Sequence, residues 1–195
     1  MLTLMLTGHR PEKLGLSYDL RTWMPIVERV CNDYIIPLTL QHGTLEVISG
    51  MALGWDMIGA RAALMAQARG FDVGLTAAVP FIGQESRWSG ECLNWYRDLI
   101  VLADEVVVVS TGGYAASKMQ TRNVWMVKRT LAAHGRALAA WDGSTGGTGN
   151  CMRVINKVQL PFTNVWMQYF EQSVQQDDPP GAPAQRIDAR GKRAA

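Results

Sequence analysis

The run "EVVVVS", residues 105–110, places four consecutive valines between a carboxylate and a small hydroxyl side chain. β-Branched residues favour extended backbone, and a strand with one wet face would alternate apolar with polar positions. A run that is apolar throughout therefore reads as a strand covered on both faces, the usual state of a strand in a parallel sheet. Five more short runs read as strands: "LTLML" (2–6), "LEVIS" (45–49), "FDVGLTAAV" (71–79), "ALAAW" (137–141) and "FTNVW" (162–166).

Between them lie stretches of helical length and period, at about 18–41, 55–69, 85–102, 117–134 and 150–159. Pro25 and Pro37 kink or fray the first. Strand and helix in alternation predict an α/β fold: a Rossmann-like, doubly wound, mainly parallel six-stranded sheet with helices on both faces, formed by residues 1–170 as one domain. From about Gln175 the chain loses its aliphatic and aromatic residues and gains prolines and charges, so 171–195 is expected to be a disordered tail.

The 195 residues are 48% hydrophobic and 18% charged, a globular composition with no apolar run near the ~20 residues of a membrane span. The apolar stretch at the N-terminus is too short for a signal peptide and reads as the first strand. A formal charge of +2, with no continuous basic and aromatic track, argues against nucleic acid or anionic lipid as the partner. Cys31, Cys92 and Cys151 are odd in number and lack C-x-x-C spacing, which disfavours disulfides and zinc and fits a reducing cytoplasm. No His, Cys, Asp or Glu cluster has metal-ligand spacing, so no metal is expected.

In an open parallel sheet the ligand crevice lies at the carboxyl ends of the strands. The loops there are "TGHRPEKLG" (7–15), "SGMALGWD" (49–56), "PFIGQESRW" (80–88), "STGGYAASKMQTR" (110–122) and "DGSTGGTGN" (142–150). Two of them are glycine-built and precede a helix, where backbone N–H groups and the helix dipole suit a phosphate: Ser49, Gly50 and Gly54 in one, and Asp142, Gly143, Ser144, Gly146, Gly147, Thr148 and Asn150 in the other. Neither fits a P-loop, and the first strand is not followed by G-x-G-x-x-G, so kinase, ATPase and dehydrogenase readings fall away.

Single residues carry competing readings. Asp56 either caps a helix or accepts ribose hydroxyls. Glu85, in what reads as the first turn of a helix, is favoured there by the dipole and is also the nearest spare acid for a hydrolase; Gln84 stands beside it. Trp88 stacks on a base or belongs to the core. Gly8, His9 and Arg10 leave the first strand together; Arg10 is read as an anion contact, while His9 is structural or ligand-binding. Arg122 shares a helix face with Lys118 and Met126 and is a phosphate contact or part of a solvated face. Trp125 and Met126 read as an apolar ridge.

These motifs, "TGHRP", "SGMALGWD", "VPFIGQESRW", "SxGGYAxxKMQxRNxWMV" and "WDGSTGGTGNC", resemble in order and spacing the YpsA-like branch of the SLOG superfamily, from about Leu4 to Trp166. That superfamily is similar to the lonely-guy phosphoribohydrolases and the DNA-processing protein of natural transformation, and relatives are often phage- or prophage-encoded. The resemblance implies a nucleotide-like ligand across the loops above and pairing through helices into a homodimer or higher oligomer. It also implies that Arg122 to Met126, "RNVWM", matches the lonely-guy "RKxxM", and that "TGGTGNCMR" from Thr145 matches "PGGxGTxxE". There the threonine position holds Asn150 and the glutamate position Arg153, which cannot supply the carboxylate that glycosidic cleavage needs. Three functions follow: a sensor or sequestering protein for a nucleotide signal, a nucleotide hydrolase using Glu85 or Asp56, or a single-stranded DNA binder.

Overall fold

The computed structural model describes residues 1–171. The expected tail lies, but for its first residue, outside the described residues. Six parallel strands form one sheet: β1 (Leu2–Gly8), β2 (Leu45–Ser49), β3 (Val73–Val79), β4 (Glu105–Val108), β5 (Arg136–Ala140) and β6 (Phe162–Asn164), in the order β4-β3-β2-β1-β5-β6. The chain winds outward from β1 to β4, then crosses back to the other side of β1. The switch point between β1 and β5 is where a doubly wound sheet opens its crevice.

Helices α1 (Met24–Val30), α2 (Ile36–His42), α3 (Trp55–Ala68) and α4 (Gly90–Leu102) precede α5 (Ala116–Ala132), α6 (Gly147–Lys157) and the short α7 (Trp166–Tyr169). Side chains of α1, α3 and α4 pack one apolar cluster against the sheet, and those of α5 and α6 pack a second. Pro25 stands in the first turn of α1 and Pro37 in that of α2, joined by a π-helical stretch over Cys31–Ile35. The wider turn absorbs the hydrogen bond that a proline cannot donate.

Two expectations are corrected. The valine run forms β4, but β4 is the last strand of the sheet, and Val106 and Val108 are 44% and 45% exposed. Here the run records β propensity at an edge, not cover on both faces. The helix expected from 85 begins at Gly90, after a turn segment, so Glu85 faces no helix dipole. Met126 is buried in the second core cluster with Trp125 packed against it, so their apolar ridge faces the core.

The end of β1 is tightly packed. Trp55, at the start of α3, is fully buried, and its Nε1 donates to the Leu138 carbonyl on β5 at 3.2 Å. A Cβ at Gly8 would stand 2.5 Å from the Trp55 side chain, so Gly8 is small because an indole lies over it. Gly8→Ala should destabilise the protein by about 1–3 kcal/mol through overpacking. Urea unfolding checks this, with a lowered midpoint at unchanged slope as the expected result.

Candidate functional site

A cavity of about 1000 Å³ opens at the switch point, walled by the loops after β1, β2, β3, β4 and β5. One end is made by Thr145, Gly146, Gly147 and Thr148. Gly146 precedes α6 with φ 126°, a conformation that side chains resist, and the helix starts at Gly147, three residues before the position expected from sequence. The glycine loop is thus itself the first helical turn, with its unpaired N–H groups at the cavity. A Cβ at Gly147 would meet nothing within 4 Å, so open space lies in front of that turn.

The loop after β1 supplies cations. Arg10 is exposed at the cavity wall, and Lys13 donates to the Ser144 hydroxyl while standing 3.6 Å from Asp142. His9 is buried, with Nε2 2.6 Å from Asp142 Oδ1 and its ring edge-on to Trp166. Burial holds the His9 imidazole below its ordinary pKa, partly offset by Asp142. Burial works against ionised Asp142 as well, but hydrogen bonds from Ser144 and His9 override it and keep that carboxyl well below the usual range. His9 and Asp142 therefore act as a clasp between the β1 and β5 loops, with His9 itself also at the cavity wall.

Beneath the centre of the cavity lies a buried ion pair. Arg122 on α5 stands 3.6 Å from Asp56 Oδ2, donates to the Gly50 carbonyl through Nη1, and donates from Nε to Asn123 Oδ1 at 3.0 Å. Gly50 is glycine because the Arg122 guanidinium occupies the place of a Cβ. Gly54, at φ 94°, would otherwise drive a Cβ to 2.6 Å from the His9 carbonyl. Ser49 donates to the Asp56 carbonyl at 2.8 Å and accepts the Met51 N–H at 3.1 Å. These three residues build the loop and do not line the cavity. Arg122 and Asp56 do line it, although the guanidinium already has partners.

The far wall sets Phe81, Trp88, Tyr114 and Met119 beside the polar Gln84, Ser86 and Arg87. Trp88 packs edge-on against Tyr96 at 5.2 Å, and Phe81 against Tyr114 at 5.9 Å. The loops of Lys13, Phe81 and Tyr114 stand out in the sequence, but these side chains do not. The signal available was position, since Phe81 follows β3 by two residues and Lys13 lies four after His9.

Other candidates fall away from the wall. Glu85 does not line the cavity, nor do Asp142, Gly143, Ser144, Asn150 or Arg153. Asn150 is held by Arg153 instead. Lys118 does not join Arg122; its Nζ donates to the carbonyls of Thr111 and Gly113, both at 2.5 Å, and so ties down the loop after β4.

Burial pushes the Asp56 carboxyl up to about 6, against the pull of Arg122. The folded state thus holds this proton more tightly than the unfolded chain. The protonated group favours folding below about pH 4, and that contribution is lost as pH rises through about 6. Asp56→Asn lacks this dependence, so the stability gap between variant and parent should change by on the order of 2–3 kcal/mol from pH 4 to pH 7. Urea unfolding across that range measures it, and a constant gap would contradict a costly buried carboxylate.

Residues 4–151 match the YspA SLOG family. The SPbeta prophage-derived protein YoqJ of Bacillus subtilis is 29% identical over 134 residues, covering 63% of this chain and 76% of its own. A UPF0398 protein of Brevibacillus brevis is 23% identical over 103 residues, covering 53% of this chain and 54% of its own. Among solved structures, DNA processing protein A from Helicobacter pylori, described for its single-stranded DNA binding mode, superposes with a TM-score of 0.49 at 13% identity, covering 90% of this chain and 74% of its own. Its Streptococcus pneumoniae counterpart gives 0.43 at 14% identity, covering 92% and 62%. The motif resemblance is thereby borne out, and the chain, matched over most of its length, belongs to the YspA SLOG family.

Proposed function

We propose that this protein binds a nucleotide or nucleotide-derived molecule across the carboxyl ends of its strands, as a sensor or sequestering protein for a nucleotide signal. The observation that carries the reading is one cavity in which a glycine-built helix start, exposed cations and aromatic walls converge. A phosphate fits over the N–H groups of Gly147 and Thr148 with Arg10 and Lys13 alongside. Ribose hydroxyls fall toward Asp56, and a heterocycle toward Trp88, Phe81 and Tyr114. SLOG membership supports a nucleotide-related or DNA-binding role.

Binding is favoured over hydrolysis because the phosphoribohydrolase glutamate position holds Arg153 and the spare acid Glu85 lies off the wall. The hydrolase alternative rests on Asp56, whose carboxyl is engaged with Arg122. The three free, buried cysteines support a reducing compartment such as the cytoplasm, and among the described residues no helix is long and apolar enough to cross a membrane. Pairing with a second copy belongs to the proposal; the exposed Val106 and Val108 of β4, with Val101 and Leu102 at the end of α4, offer apolar surface for it.

Incubation with a cellular metabolite extract followed by mass spectrometry identifies what is retained and whether it is altered. Calorimetry with the retained compound then separates the readings. Gly147→Val should keep its melting temperature and lose at least tenfold in affinity, and Arg10→Ala should weaken binding by about 1.5–3 kcal/mol. Unchanged affinity in both variants would overturn the phosphate site. Turnover that vanishes in Asp56→Asn would replace binding with hydrolysis, and retention of single-stranded DNA with a steep salt dependence would favour the DNA reading.

A further inference from the structure

The floor of the cavity holds polar atoms that the fold nearly encloses and yet leaves unbonded. Asp56 and Arg122 are each 6% exposed and Asn123 is 9% exposed, and all three line the cavity. Asp56 Oδ2 accepts the Ala52 N–H at 3.4 Å and faces Arg122 Nη1 at 3.6 Å. Arg122 uses Nε on Asn123 Oδ1 and Nη1 on the Gly50 carbonyl. Asp56 Oδ1, Arg122 Nη2 and Asn123 Nδ2 are left without a hydrogen-bond partner. Among the described residues, the side-chain atoms that are both unbonded and sealed from solvent are Gln84 Oε1 and Thr130 Oγ1. The three floor atoms are not of that kind, so each keeps accessible surface, and the little surface these buried residues have is in the cavity they line.

The role of each atom is fixed by its chemistry and its neighbours. Because Asn123 Oδ1 accepts from Arg122 Nε, reversing the carboxamide would set two donors against each other, and Nδ2 is committed as a donor. Arg122 Nη2 can only donate, and ionised Asp56 can only accept. An anion placed here would meet the Asp56 carboxylate. An apolar group would displace water and leave an acceptor and two donors unpaired, which is costly. The floor therefore calls for an uncharged group with a donor and acceptors side by side. Two vicinal hydroxyls meet that demand, since each oxygen donates one hydrogen bond and accepts others.

The placement points the same way. Asp56 follows β2, whereas Phe81 and Trp88 follow β3 and the α6 start follows β5, so in the order β3-β2-β1-β5 the floor lies between the two ends of the cavity. The part of a ligand read there joins the part at the glycine-built helix start to the part among the aromatic side chains. In a nucleotide that middle part is the sugar.

We propose that Asp56, Arg122 and Asn123 form a sugar-reading subsite that selects ribonucleotides over deoxyribonucleotides. Asp56 Oδ1 accepts from the 2′-hydroxyl, and Arg122 Nη2 and Asn123 Nδ2 donate to the vicinal pair. The inference rests on the nucleotide reading above and assigns the class of sugar to it. A deoxyribose leaves the carboxylate without its donor, so discrimination arises from the unpaired group as much as from the lost bond. A single strand of DNA lacks the hydroxyl pair, and the same floor disfavours it.

The test titrates the full chain by calorimetry with the common ribonucleoside 5′-monophosphates and with their 2′-deoxy and 2′-fluoro-2′-deoxy counterparts, at about pH 8, where Asp56, pushed up to about 6, is ionised. For the ribonucleotide that binds most tightly, loss of the 2′-hydroxyl should weaken binding at least tenfold, as expected for a hydrogen bond to a charged group. Fluorine, which cannot donate to Asp56, should not restore it. In Asp56→Asn the Ala52 and Arg122 donors hold the amide oxygen at the place of Oδ2, which turns the amide nitrogen to the cavity, and the ribose preference should fall to threefold or less. A parent preference below tenfold would overturn the inference and leave the nucleotide reading standing. Recovery by the fluoro compound to within threefold of the ribonucleotide, or a preference above threefold in Asp56→Asn, would put the hydroxyl on other residues, which also overturns it. Failure of every compound to bind would remove the nucleotide reading and this inference together. The parent measurements with the deoxy and fluoro compounds decide even if the variant does not fold.

Discussion

The carboxyl end of β1 is the point on which the site depends. Within two residues, three elements and the loop after β5 are tied to it. The Gly8 carbonyl accepts the Thr148 hydroxyl at 2.8 Å, the His9 N–H donates to the Ala140 carbonyl at 3.1 Å, and the His9 carbonyl accepts the Trp55 N–H at 3.2 Å. His9 Nε2 meets Asp142. These contacts fix the starts of α3 and α6 relative to one another, and hence the spacing of the two glycine-rich loops. Gly8 and Gly54 are required because backbone and indole meet here too closely for a Cβ.

This arrangement changes what the glycines mean. Of the two loops that read as phosphate cradles, the one after β2 uses its glycines for internal packing: Gly50 makes room for Arg122, and Gly54 for His9. Only the loop after β5 keeps open space before its helix, at Gly146 and Gly147. Arg122, likewise, holds the Gly50 carbonyl and faces Asp56, so it braces the β2 loop from below while lining the cavity. A buried pair of this kind contributes positioning more reliably than net stability.

How far the sequence can be read follows from the range of each signal. All six strands and the α/β layering were legible, because hydrophobic period and glycine punctuation are local. The exposure of β4 was not, since "VVVV" is the same at the middle of a sheet as at its edge, and only strand order tells them apart. The start of α4 at Gly90 was missed because the dipole-friendly Glu85 imitates a first turn. Within the site, Arg10, Gln84, Trp88, Gly147 and Thr148 were legible as members of loops that the topology must bring together. The clasp of His9 with Asp142, 133 residues apart, was not legible, because nothing in either neighbourhood encodes the other.

The most direct test is a crystal structure of the protein with the compound it retains from a metabolite extract. A nucleotide site at the switch point predicts a phosphate or equivalent anion within hydrogen-bonding distance of the Gly147 and Thr148 N–H groups, with the remainder of the molecule running toward Gln84 and Trp88. A ligand bound elsewhere on the surface, or lying in the cavity with its anionic group away from the α6 start, would contradict it.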